Sequence, residues 1–271
     1  MADQKLTVER ACKAVGMARS VWYEEPGDRL ERDRAVIEAL NGLVTDHGRW
    51  GFWKCYQRLR LDGRGWNHKR VYRVYREMKL NIRRRTKKRI PTRDPMPLDA
   101  PLLPNEIWSL DFMHDTLYVG RRFRTLNVLD EGVREVLDIE IDTSLTGERV
   151  VRVLERLKLW RGLPRAIRCD NGPELLSEVF VRWCEENGIE IRYIQPGKPN
   201  QNAFIERFNR TYRDEVLDAW LFEDLDQVRE ISWEWMQSYN ETRPHDALGG
   251  LPPAVYREQS TSRCLHLSVS G

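Results

Sequence analysis

No stretch of the chain approaches the roughly 18 consecutive apolar residues of a membrane-spanning helix. The start, Met1-Ala2-Asp3-Gln4-Lys5, lacks the apolar segment of a signal peptide. Cysteine is sparse: Cys12, Cys55, Cys169, Cys184 and Cys264 are an odd, scattered set with no Cys-x-x-Cys pair. That pattern argues against a disulfide framework or a cysteine-based zinc site and predicts reduced, cytosolic thiols. The histidines (His47, His68, His114, His245, His266) contain no His-x-x-x-His pair, and His47 and His68 with Cys55 fit no standard zinc spacing. Gly-x-Ser-x-Gly and Gly-x-x-x-x-Gly-Lys-Ser/Thr are both missing, which removes the serine-hydrolase elbow and the P-loop from consideration.

What the chain does have is core material and uneven charge. Over 271 residues, 41% hydrophobic composition and ten tryptophans allow one large domain or two modest ones. The net charge of +3 hides an asymmetry. From Arg49 to Arg93 there are 17 Lys and Arg against only Asp62 and Glu77, a balance of +15, so the remainder carries −12. A basic arm on an acidic body points to a polyanionic partner for the arm. The plainer alternative is a solvated basic linker.

The expected organisation has five parts: a helical segment over 1–46, a basic helical module over 47–82, a basic Pro-rich linker over 83–104, a catalytic core over 105–257 and a tail over 258–271. Residues 7–25 read as helix, Gly16 turn and helix, resembling a helix-turn-helix fragment or a plain helical hairpin. Residues 31–46 form an amphipathic helix with Ile37, Leu40 and Val44. Trp50-Gly51-Phe52-Trp53 leads into Tyr56, Leu59 and Leu61, and Gly63 and Gly65 mark a turn. Asn67 caps a helix over 68–79, whose apolar stripe is Val71, Val74, Tyr75 and Met78. Lys69, Arg70, Arg73 and Arg76 line much of its remaining surface, suited to a groove of DNA or simply to solvent. From 106 onward, strands are expected at 107–112, 122–129, 133–141, 166–169 and 189–194. Helices are expected at 147–160, 174–187 and 202–220. That order predicts an α/β architecture, a mixed sheet flanked by helices, with the domain boundary near residue 100.

Three acids stand out. Asp111 lies in the apolar run Trp108-Ser109-Leu110-Asp111-Phe112, where a charge is costly unless paired or metal-bound; Asp115 is its competitor. Asp170 opens the turn Asp170-Asn171-Gly172 at a strand end, where ligand groups collect, although a turn-forming Asp needs no other purpose. Glu206 follows after 35 intervening residues, near the start of a helix. It shares a face with Arg210 and Arg213, and an intrahelical ion pair is the simpler account of it. In combination, three acids on separate elements behind a basic arm suggest a two-metal site acting on nucleic-acid phosphate.

The stretches Asp170-Asn171-Gly172-Pro173-Glu174, Pro199-Asn200-Gln201-Asn202-Ala203-Phe204-Ile205-Glu206-Arg207-Phe208-Asn209 and Tyr239-Asn240-Glu241-Thr242-Arg243-Pro244-His245 resemble the D,D(35)E core and C-terminal signature of DDE transposases related to retroviral integrases. The likeness is greatest to the OrfB product of the IS3 insertion-sequence family. His47-Gly48-Arg49-Trp50-Gly51 with Asn67-His68-Lys69-Arg70-Val71-Tyr72 resembles that family's helical DNA-binding module. The resemblance spans roughly residues 8–257. It implies an RNase H-like core in which Asp111, Asp170 and Glu206 hold two Mg²⁺ ions, with Mn²⁺ able to substitute, and a reaction that cleaves transposon ends and joins them to target DNA. It implies DNA contacts at Arg49, Lys54, Lys69, Arg70, Arg73, Arg83, Arg84, Arg85, Lys87, Lys88, Asn171, Asn202, Arg210 and Arg213. Implied partners are transposon-end and target DNA, OrfA as a frameshift fusion, and further copies of the chain on DNA, in the bacterial cytoplasm and at the nucleoid. The alternative is a catalytically inactive, transposase-derived DNA-binding protein. The sequence departs from the family pattern at Glu131-Gly132-Val133 and at Leu175, which predicts softer local packing there. The zinc-binding His/Cys module of retroviral integrases is not present.

Overall fold

A computed structural model describes residues 7–23, 29–82, 103–195 and 202–260. Its contacts divide the chain into two compact units, Met1–Arg84 and Arg85–Gly271. The expected boundary near residue 100, and most of the expected linker, lie outside the described residues.

The first unit is all-helical. Helices α1 (Val8–Ala14) and α2 (Arg19–Tyr23) flank Gly16, whose φ of 66° suits a residue without a Cβ. Helices α3 (Arg29–Asp46), α4 (Phe52–Leu61) and α5 (His68–Glu77) enclose a core of Val36, Leu40, Trp50, Cys55, Leu59, Val71, Val74 and Tyr75. Asn67 does cap α5, its side chain accepting from the Lys69 amide at 2.9 Å. Two expectations shift. Leu61, at the end of α4, stays exposed, and on α3 it is Val36 rather than Ile37 that is fully buried.

The second unit is built on a five-stranded sheet, β1 (Ile107–Thr116), β2 (Arg122–Asp130), β3 (Glu135–Asp142), β4 (Ala166–Cys169) and β5 (Glu190–Tyr193), in the order β3-β2-β1-β4-β5. The first three strands are antiparallel neighbours, and β4 and β5 join in parallel. Helices α6 (Gly147–Arg161) and α7 (Glu178–Glu186) provide the crossovers. Helices α8 (Ala203–Tyr212) and α9 (Leu225–Glu241) follow. The result is the mixed, helix-flanked sheet of an RNase H-like core.

Alternation along β1 divides the core into two layers. Trp108, Leu110 and Phe112 pack in a cluster with α6 and α7, which includes Val150, Leu154, Phe180 and Trp183. Met113, from the other phase, packs in a second cluster with α8 and α9, which includes Ile205, Phe208, Tyr212, Val228 and Tyr239. Asp111 shares the phase of Met113 and therefore faces the α8 side.

Several expected boundaries move for local reasons. β1 continues to Thr116, so Asp115 lies in the strand. β3 starts only at Glu135, because Arg134 takes a φ of 58° in the preceding turn. α7 begins at Glu178 rather than 174: the Gly172 carbonyl accepts from Leu175 and Leu176, and Ser177 then caps α7 by accepting from the Phe180 amide at 3.4 Å. The helix expected over 202–220 is α-helical only to Tyr212. It continues as a five-residue π turn, Arg213–Leu217, in which the adjacent Val216 and Leu217 are both buried. Residues 196–201, which precede α8, lie outside the described residues.

The packing at the two sequence departures is firm. Leu175 is fully buried in the α6–α7 cluster. Glu131 is fully buried, accepts from the Ser109 hydroxyl and pairs with Arg168 at 2.7 Å. Gly132 is required there, since a Cβ would run into the Leu103 carbonyl.

Candidate active site

Asp111 sits opposite Asn127 across the β1–β2 ladder. Its Oδ1 accepts from the Phe112 amide at 2.9 Å, and its Oδ2 accepts from the Asn209 side-chain amide at 2.7 Å. The Asn209 carbonyl oxygen in turn accepts from the Asn127 side-chain amide at 2.7 Å. Asn127 is fully buried, so this relay clamps α8 onto β1 and β2 through polar groups that would be costly to leave unpaired.

The parallel β1–β4 register brings the second acid close. Ser109 pairs with Arg168, and continuing that register by two residues sets Asp111 beside Asp170. Asp170 ends β4 with an exposed side chain whose Oδ1 accepts from the Gly172 amide at 3.0 Å. This is the turn expected of Asp-Asn-Gly. Neighbouring Asn171 is also exposed and reaches the Ile194 carbonyl at 3.5 Å.

Glu206 lies one helical turn before Asn209 on α8 and is exposed. Asp111 lies within electrostatic reach of both other acids. Burial pushes the Asp111 carboxyl up to about 6, and the charges of Asp170 and Glu206 push it in the same direction, against the hydrogen bonds from Phe112 and Asn209. Three hard oxygen donors with excess negative charge suit a divalent ion such as Mg²⁺, which retains water and substrate ligands. Among the described residues, however, no three His, Cys, Asp or Glu side chains stand in place as a closed metal cage.

A fourth acid stands nearby. Glu174, from the Asp-Asn-Gly-Pro-Glu stretch, pairs with Arg124, whose guanidinium lies 4.5 Å from the Phe112 ring centre. Burial raises the Glu174 carboxyl, but the bond from Arg124, a backbone hydrogen bond and the Arg124 charge together outweigh it and take the group below its ordinary value. The pair flanks Asp111 through Phe112 and was not singled out from sequence.

The other expected site residues separate. Arg213 is tied down: it donates to Asp115 at 3.0 Å and to the His114 carbonyl at 2.9 Å, joining the π turn to the far end of β1. Asp115 is thus an ion-pair partner of Arg213. Arg210 is exposed on α8. Asn202 precedes α8 and is buried, its side-chain oxygen lacking a partner among the described residues. In the helical unit Arg49 and Lys69 are exposed and Lys54 is half-buried. Arg70 and Arg73 are held by Asp33 of α3 at 2.9 and 2.7 Å, so part of the expected basic face serves the fold. Arg83, Arg84, Arg85, Lys87 and Lys88 lie outside the described residues.

Sequence reasoning missed Asn209 and Asn127. A signal existed for each. Asn209 is a polar residue within the buried stripe Ile205, Phe208, Tyr212, and Asn127 interrupts an apolar strand between Leu126 and Val128.

This five-stranded mixed sheet with its flanking helices has the architecture of an integrase-core protein. Models of an integrase core domain match residues 101–199 and 187–253, and a model of an HTH-like domain matches 31–89. The chain is 39% identical to a 39.2 kDa protein of insertion element IS476 from Xanthomonas euvesicatoria, over 93% of this chain and 72% of that one. It is also 39% identical to a 31.7 kDa protein of insertion element IS407 from Burkholderia multivorans, over 93% and 90%. Among solved structures it is similar to the HTLV-2 integrase catalytic core domain in complex with magnesium, with a TM-score of 0.48 and 20% identity over 58% of this chain and 99% of that one. The chain belongs to the integrase-core family of insertion-element transposases, in keeping with an IS3-type OrfB.

Proposed function

We propose that the chain cuts transposon ends and joins them to target DNA at Asp111, Asp170 and Glu206. The observation that carries this reading is the placement of three acids on three elements of one core: Asp111 on β1, held by Asn209, with Asp170 just beyond β4 and Glu206 on α8. Asp111, Asp170 and Glu206 would hold the metal, and two Mg²⁺ ions, or Mn²⁺, would supply Lewis acidity at the scissile phosphate and activate the attacking hydroxyl or water. Asn209 keeps one face of Asp111 engaged, so its orientation is set before substrate arrives. Asp170 and Glu206, both exposed, are free to turn toward the phosphate. The nucleophile is water when an end is cut and a DNA 3′-hydroxyl when strands are joined. The helical unit and the basic segment after it hold end DNA. OrfA, as a fusion, and further copies of the chain are the proposed protein partners, acting on DNA in the bacterial cytoplasm.

The test is strand transfer on labelled transposon-end DNA in Mg²⁺, with the chain alone and fused to OrfA. Asp170→Asn is expected to lower joining by at least about 10²–10³-fold, the scale of losing one transition-state electrostatic contact, while DNA binding persists. Nicking without joining in the wild type would favour a nuclease. Binding without chemistry in either format would favour an inactive DNA-binding protein.

A further inference from the structure

The helical unit contains a groove that the proposed chemistry does not use. A cavity of about 740 Å³ between α4 and α5 is lined by Phe52, Trp53 and Tyr72 together with Lys54, His68 and Lys69. Trp53 is 59% exposed and Tyr72 43%. The rings form a continuous aromatic wall, with Phe52 against Tyr72 at 4.8 Å and Trp53 over His68 at 6.2 Å between centres. Large rings left open to water at a groove mark a surface that expects a flat apolar partner.

The charge around the groove specifies the rest of that partner. Gly51–Lys54 is the start of α4, and His68 and Lys69 are the start of α5, so two helix N-termini border one cavity. Helix starts favour negative side chains. Accordingly α1, α3, α6, α7, α8 and α9 carry Glu9, Glu31, Glu148, Glu178, Glu206 and Asp226 in their first turns, while the five-residue α2 carries none. α4 and α5 carry no acid there and have Lys54 and Lys69 instead. Exposed Lys69 at the positive end of the α5 dipole raises the local potential, which an external anion would relieve.

An aromatic wall beside an anion-seeking rim matches a nucleotide. Bases within a duplex are stacked on each other and cannot present their faces to a side chain; an unpaired or extruded base can. We propose that this groove takes one unpaired nucleotide of a DNA strand, its base stacked on Trp53 and its phosphate near Lys69. The proposal rests on the reading that the helical unit binds DNA, and it adds that the unit distinguishes unpaired from paired strand.

The experiment compares two probes on the full chain: a fully paired duplex, and the same duplex with a short single-stranded end carrying 2-aminopurine. The wild type is expected to bind the second more tightly, with quenched 2-aminopurine fluorescence. Trp53→Ala should lose about tenfold or more on that probe and stay within about twofold of wild type on the paired duplex, given the usual worth of one base–aromatic stack. Trp53→Tyr should retain most of the preference. Because Trp53 is exposed, an unchanged circular dichroism melt is expected for both variants. Unchanged affinity of Trp53→Ala for both probes would overturn the groove site while leaving DNA binding intact, and an equal loss on both would show that Trp53 contacts paired DNA instead. Failure of the wild type to bind either probe would overturn the DNA-binding reading and the proposal with it.

Discussion

Asn209 spends both ends of its amide on the candidate site, donating to Asp111 and accepting from Asn127. A carboxylate held on one oxygen keeps its remaining lone pairs directed at a ligand, and losing such a supporting bond commonly costs 10–100-fold in metal affinity or activity. Asn209→Ala is therefore expected to weaken Mg²⁺ binding by about 10–100-fold, read by calorimetric titration without DNA. Binding of end DNA in EDTA should be unaffected. Unchanged Mg²⁺ affinity would reduce the relay to a packing role. Asp111, Asp170 and Glu206 could be proposed from the sequence through their combination and spacing, since Asp170 and Glu206 each have a simpler local account. Asn209 and Asn127 could not, because their meaning lies in a contact across 82 residues of sequence that only the packed sheet and helix create.

At the scale of elements, polar clamps hold the helices in place. Asn240 on α9 bonds the backbone of Val136 in both directions, accepting from the amide at 2.9 Å and donating to the carbonyl at 2.8 Å, and so caps the edge strand β3 much as another strand would. Arg243 pairs with Glu215 of the π turn at 2.5 Å. The stretch that reads as a family signature thus fastens α9 to the sheet. In the helical unit Asp33 on α3 plays the corresponding part for α5. The bonds from Arg73 and Arg70 hold its carboxyl below the ordinary value of 3.8. A depressed carboxylate contributes its stability above the unfolded-state value and loses it as pH falls through the lower folded value. Asp33→Asn should therefore reduce amide-exchange protection in α3 and α5 by roughly tenfold at pH 7, a modest effect because both arginines are partly solvated. The difference from wild type should diminish between pH 7 and a pH well below 3.8. An equal difference at both pH values would mean that the carboxylate charge plays no part.

For the whole molecule, charge separates the roles of the two units. The basic balance of +15 between Arg49 and Arg93 stands against −12 elsewhere, so polyanion affinity is expected to come from the helical unit and the segment after it. With Arg70 and Arg73 held by Asp33, the run Arg83-Arg84-Arg85 becomes a larger share of the cations left for phosphate. Replacing those three arginines with alanine should lower the salt dependence of DNA binding by about two to three units of slope, measured by anisotropy across a salt series. An unchanged slope would rule them out as phosphate contacts.

Local chemistry in the sequence was enough to determine the helical unit, the α/β core, the D,D(35)E spacing and the capping of α5 by Asn67, because periodicity, turn residues and short motifs act over a few positions. Tertiary structure alone decided which face of β1 carries Asp111, where α8 gives way to a π turn, and that Arg213, Arg70 and Arg73 are engaged within the protein. It also placed two acid-free helix starts beside one aromatic wall. Those outcomes depend on which side chains meet across the sheet and between helices, and pairing between distant segments is not written in the local pattern of either one.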